Sequence, residues 1–401
     1  MPPPASPKRR RGPIVAAVAA VLALVAGSVA AVVLLGGRGG ADTARESVEL
    51  LAADLSQQRW FDAFGRLHPA EAELLTDLGE VVTDELVRLE VFRPDADLDA
   101  AFSGATVSDL RFDEAAAEQV RPDVVITKLV AGTITFDQDP AALPFTDSFR
   151  RLAFPDGLPA ATPTTIDLAD VVAEQGEPIR LASVRVEGSW YVSLFYTAAD
   201  YALRSEGLSW PATSVPARGA ATPGDALRET VQAMLDGDVP RLVELAPSGE
   251  LQVVHDLGDV IVAEAPAEPS GARITELETT ETDVRGDTAL QVTRVVVETP
   301  AGDRVTVTRS GDCLDISGSD GSAEQVCGPE LFGQALAGAG DPTLDRLAPR
   351  ILQAVLDVRI VTVGADGAHY VSPGRTAIAL YAEVLRALEP EDIAELFRSM
   401  R

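Results

Sequence analysis

An internal repeat at one fixed spacing constrains the fold of this chain more than any other feature. Residues 180–198 align with residues 359–377, an offset of 359 − 180 = 179, and eight of these 19 positions are identical. The tripeptide Asp-Leu-Gly begins at Asp77 and again at Asp256, with the same offset of 256 − 77 = 179. Repeats of a solenoid are about 20–50 residues long, so the spacing instead predicts two copies of a whole domain.

Each copy has the pattern of helices followed by a sheet. Thr43 and Thr222 are typical helix N-caps, because an acidic residue follows each of them three positions later. Further helical pieces are predicted, with a break at Gly79. The later segments are rich in β-branched residues and are predicted as strands, among them Arg304–Ile316 as one strand. Each copy ends in a hairpin that turns at Gly188 or Gly367. The predicted fold class is α+β: two repeated domains, each of helices plus a curved antiparallel sheet, behind one N-terminal transmembrane helix.

Changes in composition along the chain predict its domain boundaries. Gly and Pro are concentrated between the two copies, as in a linker. Glu391–Met400 has the pattern of a short amphipathic helix, which we expect to cap the second copy; docking of a partner is the alternative. The predicted segments are a basic cytoplasmic tail (1–13), a transmembrane helix (14–35), a flexible joint (36–42), repeat 1 (43–204), a linker (205–221), and repeat 2 with the C-terminal helix (222–401).

The segment Ile14–Leu35 contains no charged residue. At about 1.5 Å per residue it makes a helix of roughly 33 Å, which is long enough to cross the hydrocarbon core. Four basic residues, Lys8–Arg11, precede it, so the N-terminus is expected in the cytoplasm and the two copies outside it. The alternative is a cleaved signal peptide, with Ser28-Val29-Ala30 as the cleavage site. The predicted location is the cell membrane, crossed once.

The charge of the chain excludes one class of partner. The formal net charge is −29, and residues 1–40 contribute +5, so the remainder carries −29 − 5 = −34. A body this acidic repels phosphate backbones, so we expect no binding to nucleic acid. A solvated acidic surface is the simpler interpretation, and a surface for cations or a basic partner is the alternative.

The chain has two cysteines, Cys313 and Cys327. Outside the cytoplasm such a pair favours a disulfide, which would pin the loop that leaves the sheet. Closing a loop of about 15 residues would stabilise the fold by roughly 3 kcal/mol. Two free buried thiols are the alternative.

Motifs for catalysis, cofactors or metals are not found. The histidines do not align between the copies: His68, His255 and His369. Three alternate carboxylates have the spacing of a calcium loop: Asp95, Asp97 and Asp99. That loop requires Gly and Glu where this chain has Ala100 and Thr106. We therefore predict no cofactor and no bound metal.

The order of elements, a helix, shorter helices and then a curved antiparallel sheet with a closing hairpin, resembles the cone-shaped α+β fold of the nuclear-transport-factor-like superfamily. The resemblance covers each copy and implies a pocket between helix and sheet. Its members include isomerases, cyclases and dehydratases, as well as non-catalytic binding or spacer domains. If the hairpin strand lines that pocket, the candidate pocket residues stand at equal places in the two copies: Tyr191, Ser193, Tyr370 and Ser372. The alternative is that the tyrosines only pack the sheet.

Three functional hypotheses follow. The first is a non-catalytic protein of the cell envelope whose tandem domains bind a partner protein or a small apolar ligand. The second is an isomerase- or cyclase-like enzyme, which needs at least two titratable groups with shifted pKa values in one cavity. The third is a spacer or sensor in a larger envelope complex, with the basic tail as a tether to anionic lipid.

Overall fold

The computed structural model describes residues 39–96, 104–137, 139–265, 268–327 and 342–399. Within these ranges no helix has both the length and the apolar character needed to cross a bilayer. The segment 14–35, where the sequence predicts the crossing, lies outside the described residues, as do Asp97 and Asp99 of the calcium-like loop. The described part of the chain is α+β, with antiparallel sheets, which confirms the predicted fold class at that level.

Helices are found at both ends of each sequence copy. Residues 43–204 are called unit 1 and residues 222–399 unit 2 below. The helices are α1 Ala44–Ser56, α2 Trp60–Phe64, α3 Pro69–Arg88, α4 Asp147–Ala153, α5 Leu168–Gln175, α6 Leu194–Ser205, α7 Pro223–Asp236, α8 Val239–Glu244, α9 Ser248–Asp256, α10 Gly258–Glu264, α11 Pro342–Leu356, α12 Pro373–Arg386 and α13 Pro390–Ser399.

The strands form one antiparallel sheet in each unit. They are β1 Ala105–Phe112, β2 Glu118–Arg121, β3 Val124–Phe136, β4 Thr164–Asp167, β5 Ile179–Val186, β6 Ser189–Ser193, β7 Arg273–Val284, β8 Asp287–Glu298, β9 Arg304–Ser310, β10 Cys313–Gly318, β11 Ala323–Cys327, β12 Ile360–Ala365 and β13 Ala368–Val371.

The two sheets share the order of their main strands. In unit 1 the order is β1-β3-β5-β6, and in unit 2 the strands β7, β8, β12 and β13 pair in the same succession. Bulges in β1 and β7 bend the sheets. Both final hairpins form as predicted, at Glu187-Gly188 and Asp366-Gly367, and all four turn residues have positive φ, as a type I′ turn requires.

The first helix of unit 1 covers one face of its sheet. Thr43 caps α1 and accepts a hydrogen bond from the backbone N–H of Glu46, as the capping pattern predicts. Val48 of α1 packs against Val192 of β6 and Leu67. In unit 2, Thr222 caps α7 in the same way, and α7 packs against β7, β12 and β13. Local capping and the buried apolar stripe therefore place an equivalent helix on each sheet.

Two expectations about local structure are wrong. The helix α3 runs without a break through Gly79, which is buried, because Val82 and Leu86 on the same helix bury their side chains in an apolar cluster with Phe92. Burial on this scale outweighs the cost of about 1 kcal/mol for glycine in a helix. The segment Arg304–Ile316, predicted as one strand, is a hairpin of β9 and β10.

The segment between the units is held against both of them. Trp210 stacks on Tyr196 of α6, with ring centroids 5.8 Å apart and planes 8° apart. Arg121 donates to the carbonyl of Pro211 at 2.7 Å, and the backbone N–H of Val215 donates to the carbonyl of His255 at 3.0 Å. Although its composition predicts a flexible linker, this segment is ordered by contacts with both units.

The units contact each other reciprocally. Asp256 of unit 2 accepts a hydrogen bond from the Tyr196 hydroxyl of unit 1 at 2.5 Å. The residues at the equivalent positions, at the offset of 179, are Asp77 of unit 1 for Asp256 and Arg375 of unit 2 for Tyr196. These two also make a hydrogen bond, in which Arg375 donates to the Asp77 carboxylate at 3.0 Å. Correspondingly, α12 packs against α3 and α9 against α6. Such an exchange of equal contacts is the geometry of a two-fold interface.

The C-terminal helix α13 also crosses between the units. Phe397 packs edge-on against Phe149 of α4, with ring centroids 5.2 Å apart. On its other side, Asp392 binds Arg346 and Arg350 of α11 at 2.6 and 2.7 Å. The helix therefore packs against unit 1 as well as capping unit 2, which the amphipathic pattern alone did not predict.

The predicted disulfide is confirmed, with an Sγ–Sγ distance of 2.00 Å between Cys313 and Cys327. Its position differs from the expectation, since the two residues face each other on the neighbouring strands β10 and β11. The bond therefore staples two strands within the sheet.

Replacing both cysteines, C313A/C327A, should lower the free energy of unfolding by about 3 kcal/mol, because a loop of about this length is no longer closed in the unfolded chain. Urea unfolding of the oxidised wild type and of the variant measures this difference. Coincident unfolding curves would contradict it.

Candidate ligand site

Ser193 and Ser372, two of the pocket candidates, each cap a helix in the interior. Ser193 accepts from the backbone N–H of Tyr196 at the start of α6, and Ser372 accepts from that of Arg375 at the start of α12, both at 3.1 Å. Each serine hydroxyl also donates to a buried carboxylate, Glu71 or Glu250 respectively. Both serines have no exposed surface, so the structure places them in the scaffold and not on a cavity wall.

The two carboxylates complete these helix caps. Glu71 accepts from the backbone N–H of Leu194 at 2.6 Å, and Glu250 accepts from that of Gly374 at 2.9 Å. A negative charge at a helix N-terminus is favourable. Burial raises the pKa of Glu71, although the hydrogen bonds from Ser193 and from two backbone N–H groups act in the opposite direction. The positions lie 250 − 71 = 179 residues apart, so the repeat would have pointed to them.

Tyr191 and Tyr370 pack against the backbone that leads into each unit. A Cβ atom added to Gly40 would lie 2.7 Å from Cζ of Tyr191, and one added to Gly219 would lie 2.7 Å from Cζ of Tyr370. The residue after each glycine pairs with the sheet: Ala41 exchanges backbone hydrogen bonds of 2.9 and 2.8 Å with the residue that precedes Tyr191. The end of the predicted flexible joint is therefore fixed to the sheet.

The direction of the side chains on β6 explains why Tyr191 and Ser193 do not line a pocket between α1 and the sheet. Val192 packs against Val48 of α1, so its neighbours Tyr191 and Ser193 lie on the opposite face of the sheet. None of the four pocket candidates lines the cavities described next.

A cavity of about 250 Å³ lies between α3 of unit 1 and the sheet and α12 of unit 2. Its apolar wall includes Val81, Val361 and Ile378. Four arginines also line it: Arg285, Arg359, Arg375 and Arg386. The volume is slightly below the range of about 300–1,000 Å³ for drug-sized ligands, so the site suits a small molecule with an apolar part.

Three of these arginines are neutralised within the protein. Arg285 binds Asp77 at 2.6 Å. Arg375 binds Asp77 at 3.0 Å and Asp287 at 3.2 Å. Arg386 lies 3.4 Å from Glu85. These pairs tie α3 to unit 2 and form part of the cavity wall.

Arg359 differs from the other three. Among the described residues, no carboxylate lies within 4.0 Å of its guanidinium, and its side chain is exposed at the cavity. It precedes β12 and stands beside Ala379 of α12 in the lining. The cavity thus combines an apolar wall with one positive charge that the protein leaves available.

The equivalent place in unit 1 is filled. Arg180, 179 residues before Arg359, is 4% exposed and binds Asp200 and Glu118. Trp210 closes the site by donating to Asp200 at 3.0 Å, and the Tyr201 hydroxyl accepts from the backbone N–H of Arg180 at 2.9 Å. In unit 2 the positions of Asp200 and Tyr201 hold Ala379 and Leu380. With alanine at position 379, Arg359 has no carboxylate partner among the described residues, and a cavity lies at this place.

The cavity contains one carboxyl group with a raised pKa. Burial raises the pKa of Asp287, and the nearby charges of Glu73, Asp77 and Asp283 add to the rise, while Arg375 opposes it. Since the group that it faces is an arginine, which stays protonated at all ordinary pH values, the pair cannot act as an acid and a base together.

A second cavity, of about 490 Å³, lies on the boundary between the units. Residues 179 apart line it from both sides, such as Val184 with Val363 and Val186 with Ala365. His68 also lines it, and its Nδ1 atom has no hydrogen-bond partner among the described residues. Burial lowers the pKa of His68, which favours the neutral form of the ring. Arg185 lines it too and, like Arg359, has no carboxylate partner among the described residues; its guanidinium carbon lies 5.8 Å from the centroid of the Trp190 ring.

The other histidines have structural surroundings. His255 is 1% exposed, and its two ring nitrogens lie 3.0 and 2.9 Å from the carbonyl oxygens of Val215 and Ala246. His369 belongs to β13 and pairs through its backbone with Ala220. In the part of the chain that the structure describes, no group of three or more His, Cys, Asp and Glu side chains is placed to hold a metal ion.

Arg359 and Ala379 are not among the pocket residues that the sequence predicts. The signal was present in the alignment, because Arg180 and Arg359 are identical while Asp200 and Ala379 differ. The identical residues indicate a similar scaffold in the two units. The difference between Asp200 and Ala379 marks the place where the charge beside the arginine differs between them.

Comparison with known proteins finds no family model, no curated protein and no solved structure that matches this chain.

The helix caps give a testable pair of variants. E71A and E250A should each lower the free energy of unfolding by about 1–3 kcal/mol, because each leaves a buried serine hydroxyl and a backbone N–H without an acceptor. E49A, which removes an exposed carboxylate paired with Arg45, should cost no more than about 1 kcal/mol. Urea unfolding checks all three. A result in which E71A or E250A matches E49A would refute the capping role.

Proposed function

We propose that this chain is a single-pass membrane protein whose two tandem units face the outside of the cell and bind a small ligand without catalysis. The units are proposed to be copies of one ancestral domain of the nuclear-transport-factor-like type. The ligand occupies the cavity between α3 of unit 1 and the sheet of unit 2.

The observation that carries this proposal is the difference between two equivalent places. Unit 1 fills its place with the buried pair of Arg180 and Asp200. Unit 2 retains the arginine, loses the carboxylate and has a cavity of about 250 Å³ there. Arg359 is exposed at the cavity and has no carboxylate partner among the described residues. A ligand with an acceptor group can therefore form a charge-assisted hydrogen bond with it without displacing a protein carboxylate.

Filling the cavity should abolish binding. In A379F the aromatic ring occupies the space beside Arg359, whereas A377F places the same ring on the exposed side of α12. A library of small fragments is screened by ligand-observed NMR against the full-length chain in detergent. We expect fragments that bind the wild type and A377F and fail to bind A379F. A wild type that binds no fragment, or fragments that bind A379F equally, would refute a ligand site in this cavity.

The membrane orientation can be tested independently. Deleting Lys8–Arg11 removes the basic residues that hold the N-terminus inside, so insertion should invert or fail. Protease added to intact cells should digest the two units of the wild type and spare those of the deletion. Unchanged digestion of the deletion variant would contradict the proposed topology.

A further inference from the structure

We infer that the ligand of this cavity is a small amphipathic carboxylate, whose anionic group binds Arg359 and whose apolar part lies along Val361 and Ile378. This inference rests on the proposed function and specifies the chemistry of its ligand. It is carried by the charge state of the cavity wall and by the comparison with unit 1.

The position of the missing charge is known from unit 1. There, two nitrogen atoms of the Arg180 guanidinium, Nε and Nη2, donate hydrogen bonds to the Asp200 carboxylate. Ala379 has no side chain beyond Cβ and lines the same cavity as Arg359, so unit 2 supplies no carboxylate to this arginine at the equivalent position. A planar carboxylate from solution fits this fork, because two parallel hydrogen bonds satisfy both donors. The ligand would thus take the place that an aspartate side chain takes in unit 1.

The other lining residues argue against a cation or an uncharged ligand. The carboxylates Asp77 and Asp287 already bind arginines within the wall, so they are not free to bind an ammonium group. An uncharged apolar molecule would cover Arg359 and remove it from water without compensation, which is costly. Only an anion neutralises the group that the protein leaves unpaired.

The apolar wall sets the size of the ligand. Val81 on α3, Val361 on β12 and Ile378 on α12 line the cavity from three sides. A volume of about 250 Å³ accommodates a short chain or one ring, and not a long lipid. Six-carbon compounds are therefore suitable probes.

The experiment compares three probes of equal length on the full-length chain in detergent at low salt: hexanoate, 1-hexanol and hexylammonium. Isothermal titration calorimetry should detect hexanoate binding and neither of the other two. R359Q should weaken hexanoate binding about 10- to 100-fold, the range expected for loss of a charge-assisted hydrogen bond.

A second variant transfers the unit 1 arrangement into unit 2. A379D should pair with Arg359, weaken hexanoate binding to a similar extent and leave the thermal midpoint at or above that of the wild type, which shows that the fold is intact. A377D adds the same charge on the exposed side of α12 and should bind hexanoate like the wild type.

The outcomes separate this inference from the proposed function. In one outcome, 1-hexanol or hexylammonium binds as tightly as hexanoate, A379F abolishes this binding and R359Q leaves it unchanged. This result would contradict a carboxylate ligand but would agree with a ligand site in the cavity. Hexanoate binding that survives A379D would overturn the role of Arg359. In another outcome, none of the three probes binds, while other fragments bind A377F and not A379F. This result would contradict the carboxylate ligand and leave the proposed function standing.

Discussion

Each unit of this protein places one aspartate against the other unit, and Asp256 is the more deeply buried of the two, with 1% of its side chain exposed. It accepts hydrogen bonds from Tyr196 and from Ser214 of the connecting segment, and it lies 3.2 Å from Arg121. A buried carboxylate is tolerated only when its charge and lone pairs are satisfied, and removal of one partner typically costs about 3–5 kcal/mol. Since its partners come from unit 1 and from the connecting segment, this group links the two units through hydrogen bonds and an ion pair.

The open cavity follows from that constraint. Because Asp77 binds Arg285 and Arg375 across the boundary, α3 is held over the sheet of unit 2 and forms one wall of the site. The interiors of the two units differ although these contacts hold them together. In unit 1 the interior is completed by Asp200, and in unit 2 the same place ends at Ala379. One scaffold thus supports a filled and an open version of the same site.

Local patterns predicted much of the fold. Threonine N-caps, the hairpin dipeptides and the disulfide are determined by neighbouring residues, so they could be read from the sequence. Features that depend on tertiary packing could not. The burial of α3 overrides the break expected at Gly79, and contacts with both units order a linker rich in Gly and Pro. For the site, the repeat located equivalent residues, but only their three-dimensional neighbours distinguished the capping serines from the unpaired Arg359.

The central claim is that the units are coupled through their reciprocal aspartates, and hydrogen exchange of D256A in the full-length chain tests it most directly. The account predicts that this change in unit 2 lowers amide protection in α6 and β3 of unit 1 as well as in α9. The control D259A removes an exposed carboxylate that accepts a hydrogen bond from the hydroxyl of Thr213 at 2.8 Å, and it should leave unit 1 unchanged. Loss of protection confined to α9 and its neighbours in unit 2 would contradict the coupling.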